Sequence, residues 1–298
     1  MRPKAFSFII PCRDRLRELA NCLAGIATQT FSRSLFDVIL VDQRSDGHIK
    51  VLAERFSQLL NVLYVKRPDL DRPYPLASAR NAALEASTSE WIVSLDADCI
   101  CNPDYLTVAY RCLNKHRTDL FLTGERIFVS SDNLSRQDIL SNAADLHSLP
   151  RVRSSSNHWL PRDKRFPEIE RLPYCEHPWD YMHGGNVVYG RQLALSLGGY
   201  DPLYDGHHGY EDIDFAYRII STGTAVPKFV NNLHVYHQEP SVELQQTKRI
   251  HPDHPNWNRI KKIIPGYKEF KRLQYERMGL EPEHANVSVL LRRTKGWK

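Results

Sequence analysis

No stretch of this sequence reaches the roughly eighteen consecutive apolar residues that a membrane-spanning helix needs. The opening residues, MRPKAFSFIIPCRDR, place charges and a proline where a secretory signal needs a longer apolar core. Both absences lead to the expectation of a cytoplasmic protein. Cysteine is scarce, and Cys12, Cys22, Cys99, Cys101, Cys112 and Cys175 form no C-x-x-C pair. That argues against a zinc ribbon or a thiol redox motif and leaves buried or idle thiols. The segment after the first apolar run, PCRDRLREL, contains no glycine. Dinucleotide folds and phosphate loops need glycine there, so that the backbone can approach a phosphate. No internal repeat is present.

What is there is ordinary for a globular chain: 298 residues, 42% hydrophobic and 25% charged. That length builds one large domain or two small ones. The net charge of +5 is unevenly spread. Residues 248–298 carry 13 Lys/Arg against 5 Asp/Glu, whereas residues 1–247 carry 27 against 30. Two readings stand for this basic tail: an anionic partner such as the inner membrane face, or a solvated helical extension. Its apolar residues Ile260, Ile263, Ile264, Tyr267 and Phe270 fit contact with lipid or with the rest of the protein.

Apolar runs predict strands at 6–12, 36–42, 62–65 and 91–96. Helical spacing predicts helices over 14–28, 49–60 and 76–87, and another over 102–116 with Asn102 as its cap and Pro103 in its first turn. Such alternation implies βαβ units and an α/β fold with a mostly parallel sheet. Ligands in such sheets bind beyond the carboxyl ends of the strands. Asp42 and Asp96 both stand there. Asp96 is followed by Ala97 and Asp98, and in an extended chain i and i+2 aim to one side. Two carboxylates so placed repel, and call for a metal ion or an arginine beside them. A polar turn after a strand is the alternative.

The second half is less regular. Residues 150–173 form a polar stretch with four prolines, expected to be a mobile or functional loop. Glu211, Asp212 and Asp214 open a helix, where the dipole favours acids. His234 and His237 lie three apart in a short strand at 233–240, so at most one of them enters a shared site.

The ordered set FIIPCRDR, VILVDQRSDG, ASARNAAL, SLDAD, HGGNVVYGRQLALSLGGYDP, GYEDIDFAYR and VYHQE resembles the family-2 glycosyltransferases with a GT-A fold, over roughly residues 6–240. The later segments look most like the bacterial chondroitin-polymerase and galactosyltransferase branch. The resemblance implies a catalytic domain over 1–247, its nucleotide half at about 1–100 and its acceptor half at about 101–247, followed by the tail 248–298. It implies a nucleotide-sugar donor, a UDP-linked hexose or N-acetylhexosamine. The acceptor would be a saccharide or lipid-linked saccharide hydroxyl, with nucleic acid not among the partners. Setting and chemistry would be surface polysaccharide or lipid-linked oligosaccharide synthesis in the cytoplasm, with peripheral contact to the inner membrane face.

By resemblance, Asp98 and His237 hold Mn²⁺ or Mg²⁺, and Asp96 contacts the ribose or metal-bound water. Asp42 and Gln43 read the base, Gln43 standing where the family usually has Asp. Pro11 and Arg13 lie along the nucleoside. Arg80 lies near the diphosphate, a core-packed arginine being its alternative. Gly184, Gly185 and Asn186 lie beside the donor sugar, or form a turn. Asp212 is the catalytic base of an inverting transfer, Glu211 binds the acceptor or orients the site, and Tyr210 stacks on the acceptor or packs in the core. His234 is a surface or structural histidine. A sugar nucleotidyltransferase and a non-catalytic sugar-binding module are the alternatives. The first lacks its glycine loop here, and the second has no need of all these elements together.

Overall fold

The computed structural model describes residues 4–43, 46–70, 73–115, 119–132, 134–141, 145–151, 172, 174–239 and 254–277. Most of the proline-rich stretch 150–173 lies outside these residues, as do 240–247 and, in the basic tail, 248–253 and 278–298. The first half runs β1 (Phe6–Cys12), α1 (Leu16–Ala27), β2 (Phe36–Asp42), α2 (His48–Phe56), β3 (Val62–Lys66), α3 (Leu76–Ala86) and β4 (Trp91–Leu95). Four strands and three helices thus fall where periodicity places them.

A seven-stranded sheet has the order β3-β2-β1-β4-β8-β6-β9, with β6 at Asp119–Thr123, β8 at Asn186–Gly190 and β9 at Ala225–Phe229. Strands β1 to β4 are mutually parallel where they pair. Strand β8 runs antiparallel to both β4 and β6. Its beginning therefore lies beside the end of β4, with Asn186 opposite Leu95. A second sheet, β5-β10-β7, joins Cys99–Cys101, Val235–Glu239 and Arg126–Ser130. Strand β10 pairs antiparallel with β5, His237 opposite Cys99.

The main sheet is buried on both faces, which is why its strands read as unbroken apolar runs. Along β1, Phe6, Phe8 and Ile10 face one core while Ile9 faces the other. The first core is closed by α1, α2 and α4 (Tyr105–Asn114). The second is closed by α3, by the short α6 (Arg191–Ser196) and by α7 (Glu211–Ser221); α5 is Arg136–Leu140. Helix α4 begins later than predicted. Asp104, not Asn102, precedes it, and the Asn102 carbonyl accepts the Tyr105 N–H at 3.0 Å in the turn before.

Two helices of the basic tail are described, α8 (Pro255–Ile263) and α9 (Tyr267–Arg277). Of the two destinations open to their apolar residues, the structure chooses the protein. Ile260, Ile264 and Tyr267 are at most 1% exposed within the second core, and Ile263 and Phe270 pack against it. Ile260→Ala should therefore cost about 2–5 kcal/mol in chemical denaturation. A residue reserved for lipid would cost about 0.5 kcal/mol or less. No helix among the described residues is long and apolar enough to cross a membrane.

Candidate active site

Three groups of polar side chains gather beyond the ends of the parallel strands. At the ends of β1 and β2, Pro11 sits inside its strand opposite Val41, and Gln43 donates its N–H to the Cys12 carbonyl at 3.0 Å. Asp42 is buried and accepts the Tyr64 hydroxyl at 2.6 Å. Arg13 is half-exposed, with Nε 3.4 Å from its neighbour Asp14.

At the end of β4 the strand geometry does not persist. The Cys99 N–H bonds back to the Asp96 carbonyl at 3.0 Å, closing a turn over 96–99. The two aspartates consequently have separate partners instead of sharing one. Asp96 meets Arg80 Nη2 at 3.2 Å, and Asp98 meets Arg15 Nη1. Arg80 is 3% exposed, and its other nitrogen, Nη1, donates to Glu211 at 2.7 Å. The face of Tyr200 lies 5.4 Å away. Arg80 is thus a buried arginine, as its alternative reading had it, but the carboxylates it joins belong to the site.

Glu211 does not present an open face to an acceptor. It is 4% exposed, and burial together with the Asp212 charge pushes its carboxyl up to about 7, against the pull of Arg80. The acidic trio at the head of α7 divides its work. Asp212 Oδ2 accepts the Gly184 N–H at 2.9 Å, and Asp214 pairs with Arg218 at 2.8 Å inside the fold. Tyr210, just before them, has φ +76°, a left-handed conformation uncommon for a side-chain-bearing residue.

The glycines are required by contact. A Cβ on Gly185 would stand 2.2 Å from Asp96 Oδ2, and one on Gly184 would stand 3.1 Å from both Arg80 Nη2 and Asp212 Cβ. Gly185→Ala should displace Asp96, costing about 1–3 kcal/mol through overpacking, with weaker nucleotide binding. Unchanged melting and unchanged nucleotide calorimetry would contradict the contact. Asn186 departs from its expected place beside a ligand. It is fully buried, its amide donating to the Leu233 carbonyl at 2.8 Å and accepting the Tyr105 hydroxyl at 2.7 Å. It anchors the segment that the glycines expose.

The third group forms through the small sheet. Because β10 pairs with β5, His237 Nε2 comes 3.4 Å from Asp98 Oδ1. Two ligand atoms each about 2.1 Å from one ion sit about 3 Å apart at right angles, so this spacing fits a shared divalent cation. Glu239 lies 3.4 Å from the other imidazole nitrogen, Nδ1, which has no hydrogen-bond partner among the described residues. Cys99 is close enough to complete a cluster, since its sulfur lies within 4.8 Å of both ligand atoms. Burial and the two aspartates raise its thiol well above the usual range, and Mn²⁺ and Mg²⁺ favour oxygen and nitrogen donors over sulfur. A carboxylate, an imidazole and positions left for phosphate oxygens suit Mn²⁺ or Mg²⁺. His234 is internal, 8% exposed and 3.2 Å from the Tyr236 hydroxyl, and burial lowers its pKa.

Arg15, Tyr200 and Glu239 were not singled out from sequence. Arg15 lies two residues beyond Arg13 and Glu239 ends the VYHQE segment, so both stood within the quoted motifs. Tyr200 likewise lies within the quoted segment HGGNVVYGRQLALSLGGYDP.

Carboxylates at parallel strand ends, a turn-borne aspartate facing a late histidine and a helix opened by acids define the class: this is a GT-A glycosyltransferase architecture. Solved structures share the fold. TarS of S. aureus in complex with UDP-GlcNAc matches with TM-score 0.60 at 16% identity, over 94% of this chain and 69% of that one. A mannosyltransferase from Pyrobaculum calidifontis in complex with GDP-Man and Mn²⁺ matches with TM-score 0.54 at 21% identity, over 81% of this chain and 59% of that one. The chain belongs to glycosyl transferase family 2, whose model matches residues 7–193. The chondroitin synthase of Pasteurella multocida is 27% identical over 253 residues, which is 82% of this chain and 26% of that protein. The chain spans between 25% and 36% of the length of the curated synthases it matches first.

Proposed function

We propose that this glycosyltransferase moves a hexose or N-acetylhexosamine from a UDP-sugar to a saccharide hydroxyl, with inversion and with a divalent metal, in the building of a polysaccharide or lipid-linked oligosaccharide. The observation that carries the reading is the convergence at one sheet edge of the Asp98–His237 pair and the Arg80–Asp96–Glu211–Asp212–Gly184 network. The chondroitin synthase likeness and the TarS complex with UDP-GlcNAc support the donor and acceptor classes.

Asp98 and His237 would hold the metal, which when bound supplies positive charge to the diphosphate oxygens. The remaining work falls to side chains. The edge at Pro11, Arg13, Asp42 and Gln43 takes the nucleoside. Arg80 holds Asp96 and Glu211 in place and keeps the carboxylate cluster from repelling itself. Gly184 and Gly185 let the backbone come close to the donor sugar. Asp212 accepts the proton of the acceptor hydroxyl as that oxygen bonds to the anomeric carbon. The bond from that carbon to the diphosphate oxygen breaks in the same displacement, and the nucleoside diphosphate leaves with the electron pair. The Gly184 N–H orients the base for this step. Release of nucleoside diphosphate from a panel of nucleotide sugars, in the presence of Mn²⁺ and saccharide acceptors, tests the reading. No release with any UDP-sugar would overturn it.

Gln43 bears on the base. An amide can accept from uracil N3–H and donate to a carbonyl oxygen, and can turn over to suit cytosine, whereas a carboxylate only accepts. UDP is expected to bind with weaker discrimination against CDP than an aspartate would give. Calorimetry with UDP, CDP and GDP measures this, and a clear preference for GDP would refute it.

A further inference from the structure

The family match ends at residue 193, and the helix pair α8–α9 lies well beyond it. Two polar contacts tie that pair to the two sides of Asp212. The first is Asn256, 2% exposed, whose amide nitrogen donates to the carbonyls of Tyr204, His207 and Gly209 at 2.9, 3.1 and 2.8 Å. These carbonyls belong to the loop that launches Glu211 and Asp212. The loop has no regular hydrogen-bond ladder, and it passes through positive φ at Gly206, Gly209 and Tyr210. A backbone in that conformation is held by what surrounds it; here Asn256 from α8 holds the loop together with Asp205, whose carboxylate accepts the Ala77 and Ser78 N–H groups at 2.9 and 3.3 Å.

The second contact is Asp180, 4% exposed, in the turn Pro178–Tyr181. It accepts the Tyr267 hydroxyl at 2.8 Å, Lys271 Nζ at 2.9 Å and the Gln274 amide at 3.2 Å, all from α9. That turn leads in three residues to Gly184, the N–H donor to Asp212.

We infer that the C-terminal helix pair is part of the catalytic apparatus, with Asn256 a positioning residue that sets the approach of Asp212 and Lys271 one that sets its Gly184 donor. The inference rests on the base role proposed for Asp212. Without Asn256, the buried Tyr204 carbonyl and the part-buried carbonyls of His207 and Gly209 lose this donor and the loop relaxes. A shift of about 1 Å at a reacting group costs about a hundredfold in rate. The nucleoside edge is formed at the ends of β1 and β2, and neither Asn256 nor Asp180 bonds to it, so nucleotide binding should be spared.

The test compares Asn256→Leu, Lys271→Met and Asp212→Asn with the pairs Asn256→Leu/Asp212→Asn and Lys271→Met/Asp212→Asn. Turnover is measured at saturating donor and acceptor, UDP affinity by calorimetry and folding by circular dichroism. Each single change on the helix pair should lower turnover at least about tenfold with UDP affinity unchanged. In the Asp212→Asn background the same change should have little further effect, because it acts through the group already removed. Wild-type turnover in the single variants, an equal fall in both backgrounds, or a matching loss of UDP affinity would each overturn the inference. Should Asn256→Leu fail to fold, Asn256→Ser retains one donor and reads the same comparison. Near wild-type turnover in Asp212→Asn alone would instead overturn the base assignment.

Discussion

Asp98→Ala should abolish transfer and, in the same preparation, weaken Mn²⁺ binding measured directly by paramagnetic resonance. Asp98 is 14% exposed and faces two basic groups, Arg15 and His237. In the metal-free protein Arg15 neutralises it. With a cation bound as proposed, Asp98 would supply the carboxylate ligand and His237 the imidazole. Removing the carboxylate would take away one of the two proposed ligands and the Asp98 partner of Arg15. His237→Ala should weaken the metal in the same direction but less, because the charge remains. Full activity in excess chelator, or unchanged Mn²⁺ affinity in Asp98→Ala, would remove the metal from the reaction.

Asp212→Asn should slow transfer by at least about a hundredfold, within the 10²–10⁴-fold that a positioned base contributes. That range corresponds to roughly 3–5 kcal/mol of barrier. The contacts make this a clean substitution on one side. Asp212 Oδ2 accepts the Gly184 N–H, which an amide oxygen can do equally well. The other oxygen accepts only from the adjacent Ile213 N–H at 2.9 Å, a local contact that an amide NH₂ would lose at about 1 kcal/mol. Stability and donor binding should therefore stay near wild type while rate falls. A purely structural role at the helix start predicts the opposite, since Asn retains an oxygen for the Gly184 N–H. A variant that transfers at near wild-type rate, or a wild-type product with retained anomeric configuration, would defeat the assignment.

Much of this was legible in the chain. Periodicity located β1 to β4 and α1 to α3, since apolar runs and 3.6-residue spacing are imposed by local geometry. The strand-end position of Asp42 and Asp96 followed from those elements. Strands β5 to β9 were not read, because three-to-five-residue runs carry too few positions to fix a period. Helix α4 was placed too early because Asn102 and Pro103 make a convincing start, while the chain spends those residues on a turn.

The sequence by itself determined the alternation of strand and helix, the carboxylates at strand ends and the ordered motifs that mark the family. Tertiary structure decided which groups meet. Strand β8 runs antiparallel, so Gly185 lies against Asp96; β10 pairs with β5, so His237 lies against Asp98. The turn at 96–99 gives the two aspartates different partners, and the basic helices turn their apolar faces and Asn256 into the protein. The reason is physical. Spacing along a chain reports only which neighbours share a face, whereas strand direction, register and the partner of a buried charge are fixed by packing the whole core at once.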